Sequence, residues 1–313
     1  SGSNVTIVAG DGNDILRNVQ SSNYYASLDG GSGNDTIYNY GYYSTINGGY
    51  GYDTIYNDAS YTTVFAGADN DTIWNYGSNV KAYGESGDDY IYNGGYATID
   101  GGDGYDTINS YYGYSSINGG AGADRISLYS YNNSSYYGRA TVRGGAGNDT
   151  IYGNSLMSSS GYGVLYQYAY GDGYDTIFGV TSVDTISVDS GAVTSGTSGS
   201  DVVLYTSSGA MTLKNKANQY FWLKTGSNSA VYTMVGGGIE NTVNNTVVSG
   251  TSYNDKIKNS GSNVTILAGD GADTVYNTGA STRIYTGAGN DSIYNYSGSN
   301  VTIVAGDGND ILR

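Results

Sequence analysis

The feature that most constrains this chain is a recurrence. A glycine-rich phrase ends in aspartate and is followed two residues later by an aliphatic side chain. It reads Gly30-Gly31-Ser32-Gly33-Asn34-Asp35-Thr36-Ile37, then Gly48-Gly49-Tyr50-Gly51-Tyr52-Asp53-Thr54-Ile55, and again Gly144-Gly145-Ala146-Gly147-Asn148-Asp149-Thr150-Ile151. The marker aspartates are Asp14, Asp35, Asp53, Asp71, Asp89, Asp106, Asp124, Asp149 and Asp175, then, after a long gap, Asp255, Asp273, Asp291 and Asp310. The commonest step is 18 residues, with 17, 19 and 21 as variants. Longer steps flank Asp149, where extra residues enter around Tyr129–Tyr137 and Ser155–Tyr166. Self-similarity at a fixed period means that one small unit is stacked many times.

Two residues after each marker stands Leu16, Ile37, Ile55, Ile73, Ile91, Ile108, Ile126, Ile151, Ile177, Ile257, Val275, Ile293 or Leu312. A second apolar residue falls half a coil away, at Ile7, Leu28, Ile46, Val64, Ala82, Ile99, Ile117, Val142, Ile266, Ile284 and Ile303. Each coil therefore carries two short strands, such as Ser44-Thr45-Ile46-Asn47 and Asp53-Thr54-Ile55-Tyr56. Side chains alternate faces along a strand, so inward aliphatics leave Thr54 and Tyr56 facing out. One inward aliphatic per strand cannot hold an isolated hairpin. Coils stacked about 4.8 Å apart would instead form two parallel sheets across a narrow core. The composition agrees: Gly 51 and Pro 0, with only three Phe and three Met to fill a larger core. Helix is disfavoured by the glycine density and the period-2 pattern. The expected fold is all-β, a parallel β-roll or β-solenoid of ~18-residue coils.

Such stacking sets one carboxylate per coil against the next. Like charges about 5 Å apart repel, and a divalent cation between coils turns the repulsion into attraction. Carboxylate and carbonyl oxygens select a hard ion, and a flexible backbone cage suits calcium better than magnesium. All of the marker aspartates are candidate metal ligands. With His 0 and Cys 0 the chain has no imidazole or thiolate ligand and no Ser-His-Asp arrangement. A formal charge of −16 argues against nucleic acid as a partner. No apolar run approaches membrane-spanning length.

These residues resemble the RTX, or haemolysin-type, calcium-binding nonapeptide repeat GGxGxDxUx, over residues 1–178 and 250–313. The resemblance implies a right-handed parallel β-roll with calcium between successive turns. It also implies an extracellular protein, commonly exported by a type I system from a Gram-negative bacterium. RTX rolls place the motif on both edges. Here one half-coil carries it, and the other edge reads as an Asn/Tyr/Gly loop, as in Tyr38-Asn39-Tyr40-Gly41-Tyr42-Tyr43. One row of calcium sites is therefore expected. Asp69 and Glu85 stand where glycine is expected, and Gly250-Thr251-Ser252-Tyr253-Asn254-Asp255 keeps few glycines, so these sites should be weaker or differently liganded.

Between the two repeat regions, residues 179–249 lack the phrase but still alternate, as in Asp201-Val202-Val203-Leu204-Tyr205. A non-calcium β module is expected there, with hairpin turns at Ser207-Ser208-Gly209 and Thr225-Gly226-Ser227. Phe221, Trp222 and Met234 should give it a denser core. Lys214, Lys216, Lys224, Lys256 and Lys258 read as solvated edge protection, with an acidic partner as the sharper reading. Residues 1–17 recur letter for letter as 297–313. A roll that begins and ends in the same phase can continue without a cap, so a longer tandem array with a period of about 296 residues is expected.

Outward positions Tyr38, Tyr56, Trp74, Tyr92, Asn109, Ser127, Tyr152, Phe178, Tyr276 and Tyr294 should align as an aromatic ladder. It would serve packing, contact between filaments, or a sugar platform.

The function expected is a secreted, calcium-stabilised structural protein that associates with itself into an extracellular fibre, surface layer or matrix. The alternative is the stalk or glycan-binding segment of a large RTX adhesin. Catalysis is not expected: RTX rolls accompany proteases and lipases, but no HExxH or GxSxG context is present. A glycosidase-type carboxylate pair would have to use aspartates already given a calcium role. Ice binding would need a regular Thr-x-Asx array, whereas the matching positions are Ser32, Tyr50, Asp103, Ala121 and Ala146.

Overall fold

The computed structural model describes residues 4–19, 24–129, 139–153, 163–181, 183–189, 193–198, 200–206, 208–216, 221–225, 231–235, 238–242, 244–250 and 254–313. Every regular element among them is a β-strand. The chain divides into two compact units, Ser1–Gln167 with Gly171–Gly179, and Tyr168–Tyr170 with Val180–Arg313.

In the first unit the two strands of each coil fall into two parallel rows. One row runs through Thr6–Asp11, Ser27–Ser32, Thr45–Tyr50, Thr63–Ala68, Val80–Ser86, Ala97–Asp103, Ser116–Ala121 and Thr141–Ala146. The other runs through Ile15–Asn18, Thr36–Asn39, Thr54–Asn57, Thr72–Asn75, Tyr90–Asn93, Thr107–Ser110, Arg125–Leu128, Thr150–Tyr152 and Tyr174–Phe178. Equivalent residues pair, Ile37 with Ile55 and Ile55 with Ile73, Gly31 with Gly49 and Gly49 with Gly67. The repeat period thus fixes the register. Ile37, Ile46, Ile55, Ile73, Ile91 and Ile108 are completely buried, so both expected aliphatic rows line the core. Ile7, Ile303 and Leu312 depart from this pattern, the first two only half-buried and the third exposed.

One detail differs from the sequence reading. The strand expected over 44–47 continues through the glycine pair to Tyr50, and the direction changes only afterwards. The paired glycines are therefore ladder members, and the turn proper is the following Gly51-Tyr52. The extra residues near Asp149 lie largely outside the described residues.

The second unit has the same two-row arrangement towards its end. Lys256–Asn259, Thr274–Asn277, Ser292–Asn295 and Ile311–Leu312 form one parallel row. Val247–Ser249, Thr265–Leu267, Arg283–Tyr285 and Thr302–Val304 form the other. Ile257, Ile266, Val275, Ile284 and Ile293 pack between them. Coil register resumes before the glycine phrase does, because Gly238–Asn241 already pairs in parallel with Lys256–Asn259.

All antiparallel pairing among the described strands falls in the intervening segment. Thr194–Ser198, Asp201–Thr206 and Gly209–Leu213 make a meander. Trp222–Thr225, Val231–Val235 and Gly238–Asn241 make another. Ser207 and residues 226–230, at the two expected hairpin turns, lie outside the described residues, as do the side chains of Trp222 and Met234. Phe221 is buried as expected. The lysines divide. Lys224, Lys256 and Lys258 are exposed, Lys214 pairs with Asp201, and Lys216 is buried with its ammonium pKa pushed down by that burial.

Candidate metal centre

The turn that follows each glycine pair carries its aspartate into the next strand, and parallel stacking sets equivalent aspartates above one another. The backbone N–H of each donates to Oδ1 of the aspartate one coil on. The series runs from Asp14 to Asp35 (2.7 Å), Asp35 to Asp53 (2.7 Å), Asp53 to Asp71 (2.7 Å), Asp71 to Asp89 (2.7 Å) and Asp89 to Asp106 (2.8 Å). It continues to Asp124 (2.8 Å), Asp149 (2.8 Å) and Asp175 (3.0 Å). In the second unit it links Asp255, Asp273, Asp291 and Asp310 at 2.7–2.9 Å. Each unit thus gathers its marker aspartates into a column.

The other carboxylate oxygen is treated differently. Oδ2 of Asp35, Asp53, Asp71, Asp89, Asp106, Asp124, Asp149, Asp273 and Asp291 is buried and accepts no hydrogen bond from the described residues. An ionised oxygen left this way is costly unless a cation answers it. Among the described residues no three acidic, His or Cys side chains converge on one point. A cation held here would therefore draw on backbone carbonyls as well as carboxylates.

The glycines supply those carbonyls at close range. A Cβ at Gly30 would collide with Asp35 Oδ2 and with the Gly48 carbonyl of the next coil, so both oxygens crowd one small space. The same coincidence recurs at Gly48, Gly84, Gly101 and Gly119. Gly33 sits at φ +123° with the Gly12 carbonyl where a Cβ would lie, which excludes any side chain on two counts. Asp69 keeps the turn at φ 78°, and Glu85 keeps the strand position of the second paired glycine at φ 76°, despite their side chains, conformations that cost about 1–3 kcal/mol for a residue with a Cβ. The degenerate phrases at these two positions therefore preserve the geometry under strain. For Gly250–Asp255, residues 251–253 lie outside the described residues.

Burial pushes the carboxyls of Asp71 and Asp175 up to about 8 and those of Asp89, Asp106, Asp124 and Asp273 up to about 7. Asp53 and Asp149 rise to about 6. The amide of the preceding coil opposes the rise, and neighbouring carboxylates add to it. An acidic column in this state favours either protons or a cation. Its oxygen-only donor set, mixing carboxylate and carbonyl, fits calcium.

The opposite edge holds a feature the sequence reading passed over. Asn18, Asn39, Asn57, Asn75 and Asn93 point inward and form a side-chain ladder, each Nδ2 donating to the next Oδ1 at 2.8–3.0 Å and the last to Ser110 Oγ at 3.1 Å. The same Nδ2 groups also cap the turn carbonyls of Gly41, Ala59, Gly77 and Gly95. Asn241, Asn259, Asn277 and Asn295 repeat the device in the second unit. The signal was available. Strict alternation from Asp53 through Ile55 puts Asn57 inside.

The aromatic ladder forms in segments. Tyr38, Tyr56, Trp74 and Tyr92 stack at ring separations of 4.9, 6.4 and 5.3 Å. Asn109 and Ser127 break the line, and the column turns instead to Tyr111 and Tyr129 at 4.9 and 4.6 Å. Tyr152 with Phe178 forms a separate pair, and Tyr276, Tyr294 and Tyr296 form a separate group of three.

The family model of the RTX calcium-binding nonapeptide repeat (4 copies) matches residues 1–17, 27–39, 100–129, 136–155, 249–280, 283–301 and 297–313. Over these stretches the chain carries RTX-type repeats, which are of a calcium-binding kind. Repeat solenoids of this type are typically non-catalytic and typical of secreted bacterial proteins. Among the described residues no helix is long and apolar enough to cross a membrane. A search of curated proteins finds no match. Among solved structures, a hyperactive, Ca2+-dependent, β-helical antifreeze protein from an Antarctic bacterium aligns with 96% of this chain and 83% of its own, at 17% identity and a TM-score of 0.40. Extracellular lipase LipA from Serratia marcescens aligns with 55% of this chain and 31% of its own, at 15% identity and a TM-score of 0.27. Both likenesses are too distant to bear on function.

Proposed function

We propose that this protein is a secreted, calcium-stiffened structural solenoid that associates with itself into an extracellular fibre, surface layer or matrix. The observation that carries the reading is the series of buried Oδ2 atoms, at nine of the marker aspartates, that meet no hydrogen-bond donor among the described residues. Asp14, Asp35, Asp53, Asp71, Asp89, Asp106, Asp124, Asp149, Asp175, Asp255, Asp273, Asp291 and Asp310 would hold calcium together with glycine-turn carbonyls, in a single row. Bound calcium would supply the positive charge that offsets the stacked carboxylates. The asparagine ladder supports a single row, because it satisfies the opposite edge with neutral amides. Repetition of residues 1–17 as 297–313 supports self-association, since equivalent coils pair residue for residue.

The test is calcium titration of metal-free protein, followed by circular dichroism and negative-stain electron microscopy. Calcium should restore the β signal and yield long uniform fibres, and excess chelator should reverse both. A β signal indifferent to chelator would end the metal reading. Short isolated rods at saturating calcium would end the fibre reading.

One observation favours the adhesin alternative. Lys256, Lys258, Tyr276 and Tyr296 line a groove in the second unit, with Lys256 Nζ 5.7 Å from the centre of the Tyr276 ring. Cations beside rings suit an acidic sugar. A glycan-binding screen showing retention lost on Lys256→Ala would favour this reading.

A further inference from the structure

Tyr25, Tyr43 and Tyr61 occupy equivalent places in three successive coils, in the turn on the metal-free edge. Each is left-handed, at φ 61°, 57° and 60°. A bulky aromatic residue is an outlier there. The turn itself needs only a left-handed residue whose N–H reaches the next coil. Tyr25 donates to the Tyr42 carbonyl at 3.0 Å and Tyr61 to the Ser78 carbonyl at 2.9 Å. Asn4, Asn245 and Asn263 make the same bond from the same conformation, to Tyr24, Ser262 and Ala280. Asparagine tolerates this region far better than tyrosine. The fold therefore does not require tyrosine at these places, and the strain directs attention to the side chain.

The three rings stack face to face, 5.4 Å apart between Tyr25 and Tyr43 and 4.9 Å between Tyr43 and Tyr61, with interplanar angles of 26° and 11°. They are 59%, 44% and 50% exposed. Stacking covers the ring faces, so the middle ring has no face to offer a sugar. What remains open is a row of phenol edges, each carrying the hydroxyl and the carbons beside it. That arrangement suits oxidative coupling better than ligand stacking. The chain has no cysteine, so a covalent staple between coils cannot be a disulfide.

We propose that Tyr25, Tyr43 and Tyr61 are a site of oxidative modification, at which adjacent coils become joined by a dityrosine bond on the edge without metal. Each phenol gives up one electron and one proton. The two resulting radicals join through carbons ortho to oxygen, forming one C–C bond, and each ring then moves its ortho hydrogen to oxygen and becomes a phenol again. The two electrons and two protons pass to hydrogen peroxide through a haem peroxidase, giving two waters. Exposure leaves the rings free to pivot as the bond forms.

The test treats the calcium-loaded full chain with limiting hydrogen peroxide and a haem peroxidase, then maps cross-linked peptides by mass spectrometry. Tyr43 should appear joined to Tyr25 or to Tyr61 within one molecule, the product two hydrogens lighter than the separate peptides. Tyr43→Phe keeps a ring but no phenol, and Tyr43→Asn installs the residue other coils use. Both should fold, as judged by circular dichroism, and both should abolish the cross-link. Coupling spread over the exposed Tyr170, Tyr174 and Tyr205, no coupling within the molecule, or a cross-link at this corner that survives both substitutions would overturn the proposal.

Discussion

At Asp89 the two oxygens of one carboxylate have unlike surroundings. Oδ1 accepts the Asp71 amide at 2.7 Å, whereas Oδ2 is buried without a donor beside the Gly101 carbonyl, where both crowd the missing Cβ of Gly84. Two acceptors facing each other repel unless a proton or a cation intervenes. Asparagine at this position would keep one acceptor and turn an N–H₂ group toward that carbonyl. Asp89→Asn should therefore act with opposite sign in two conditions. Without calcium at pH 8 it should stabilise the first unit by about 1–3 kcal/mol, since a buried charge is removed. With calcium it should weaken binding and lower the titrated stoichiometry. Urea unfolding with and without chelator reads both effects, and a variant destabilised in both conditions would show that this carboxylate has no unmet charge.

At the scale of the coil, the two edges solve the same problem of stacked polar groups by different chemistry. Asn57 accepts from Asn39, donates to Asn75 and caps the Ala59 carbonyl, at 2.8, 3.0 and 2.9 Å. Asn57→Ala should cost about 2–4 kcal/mol, because it leaves both ladder neighbours and a turn carbonyl unsatisfied. Calcium stoichiometry should stay unchanged, which isothermal titration checks. The glycine edge depends on backbone geometry. Gly33→Ala should destabilise by about 2–4 kcal/mol through the collision with the Gly12 carbonyl and the positive φ. Glu85→Gly should stabilise by about 1 kcal/mol by releasing a strained φ of 76°. Thermal melts of the pair should move in opposite directions. The repeat phrase made the glycine edge, both aliphatic rows and the stacking order legible in advance, because each rests on residue type at a fixed period. The asparagine ladder escaped because Asn in a Gly- and Tyr-rich stretch also reads as an ordinary turn residue, and only its inward parity separates the two. The tyrosine corner escaped for the opposite reason. Nothing in a run such as Tyr42-Tyr43 says which ring adopts a left-handed backbone, since that conformation is set by the bond to the next coil.

For the whole molecule, a formal charge of −16 and columns of carboxyls with raised pKa set how stability depends on pH. An unfolded aspartate titrates near 3.8, whereas in the folded, metal-free chain Asp71 and Asp175 titrate near 8 and Asp89, Asp106, Asp124 and Asp273 near 7. Between those limits the folded state holds more protons than the unfolded one, so stability falls as pH rises. The metal-free protein should therefore be most stable below about pH 4, lose stability progressively up to about pH 8, and change little beyond. Growing negative charge adds self-repulsion in the same direction. Calcium should reverse the dependence: protons compete for the same oxygens, so binding tightens and the loaded protein gains stability as pH rises. Melting temperatures from pH 4 to pH 8, in chelator and in saturating calcium, should give two lines of opposite slope. A metal-free melting temperature that climbs with pH would mean that these carboxylates are already answered within the protein, and the case for a cation between coils would fail with it.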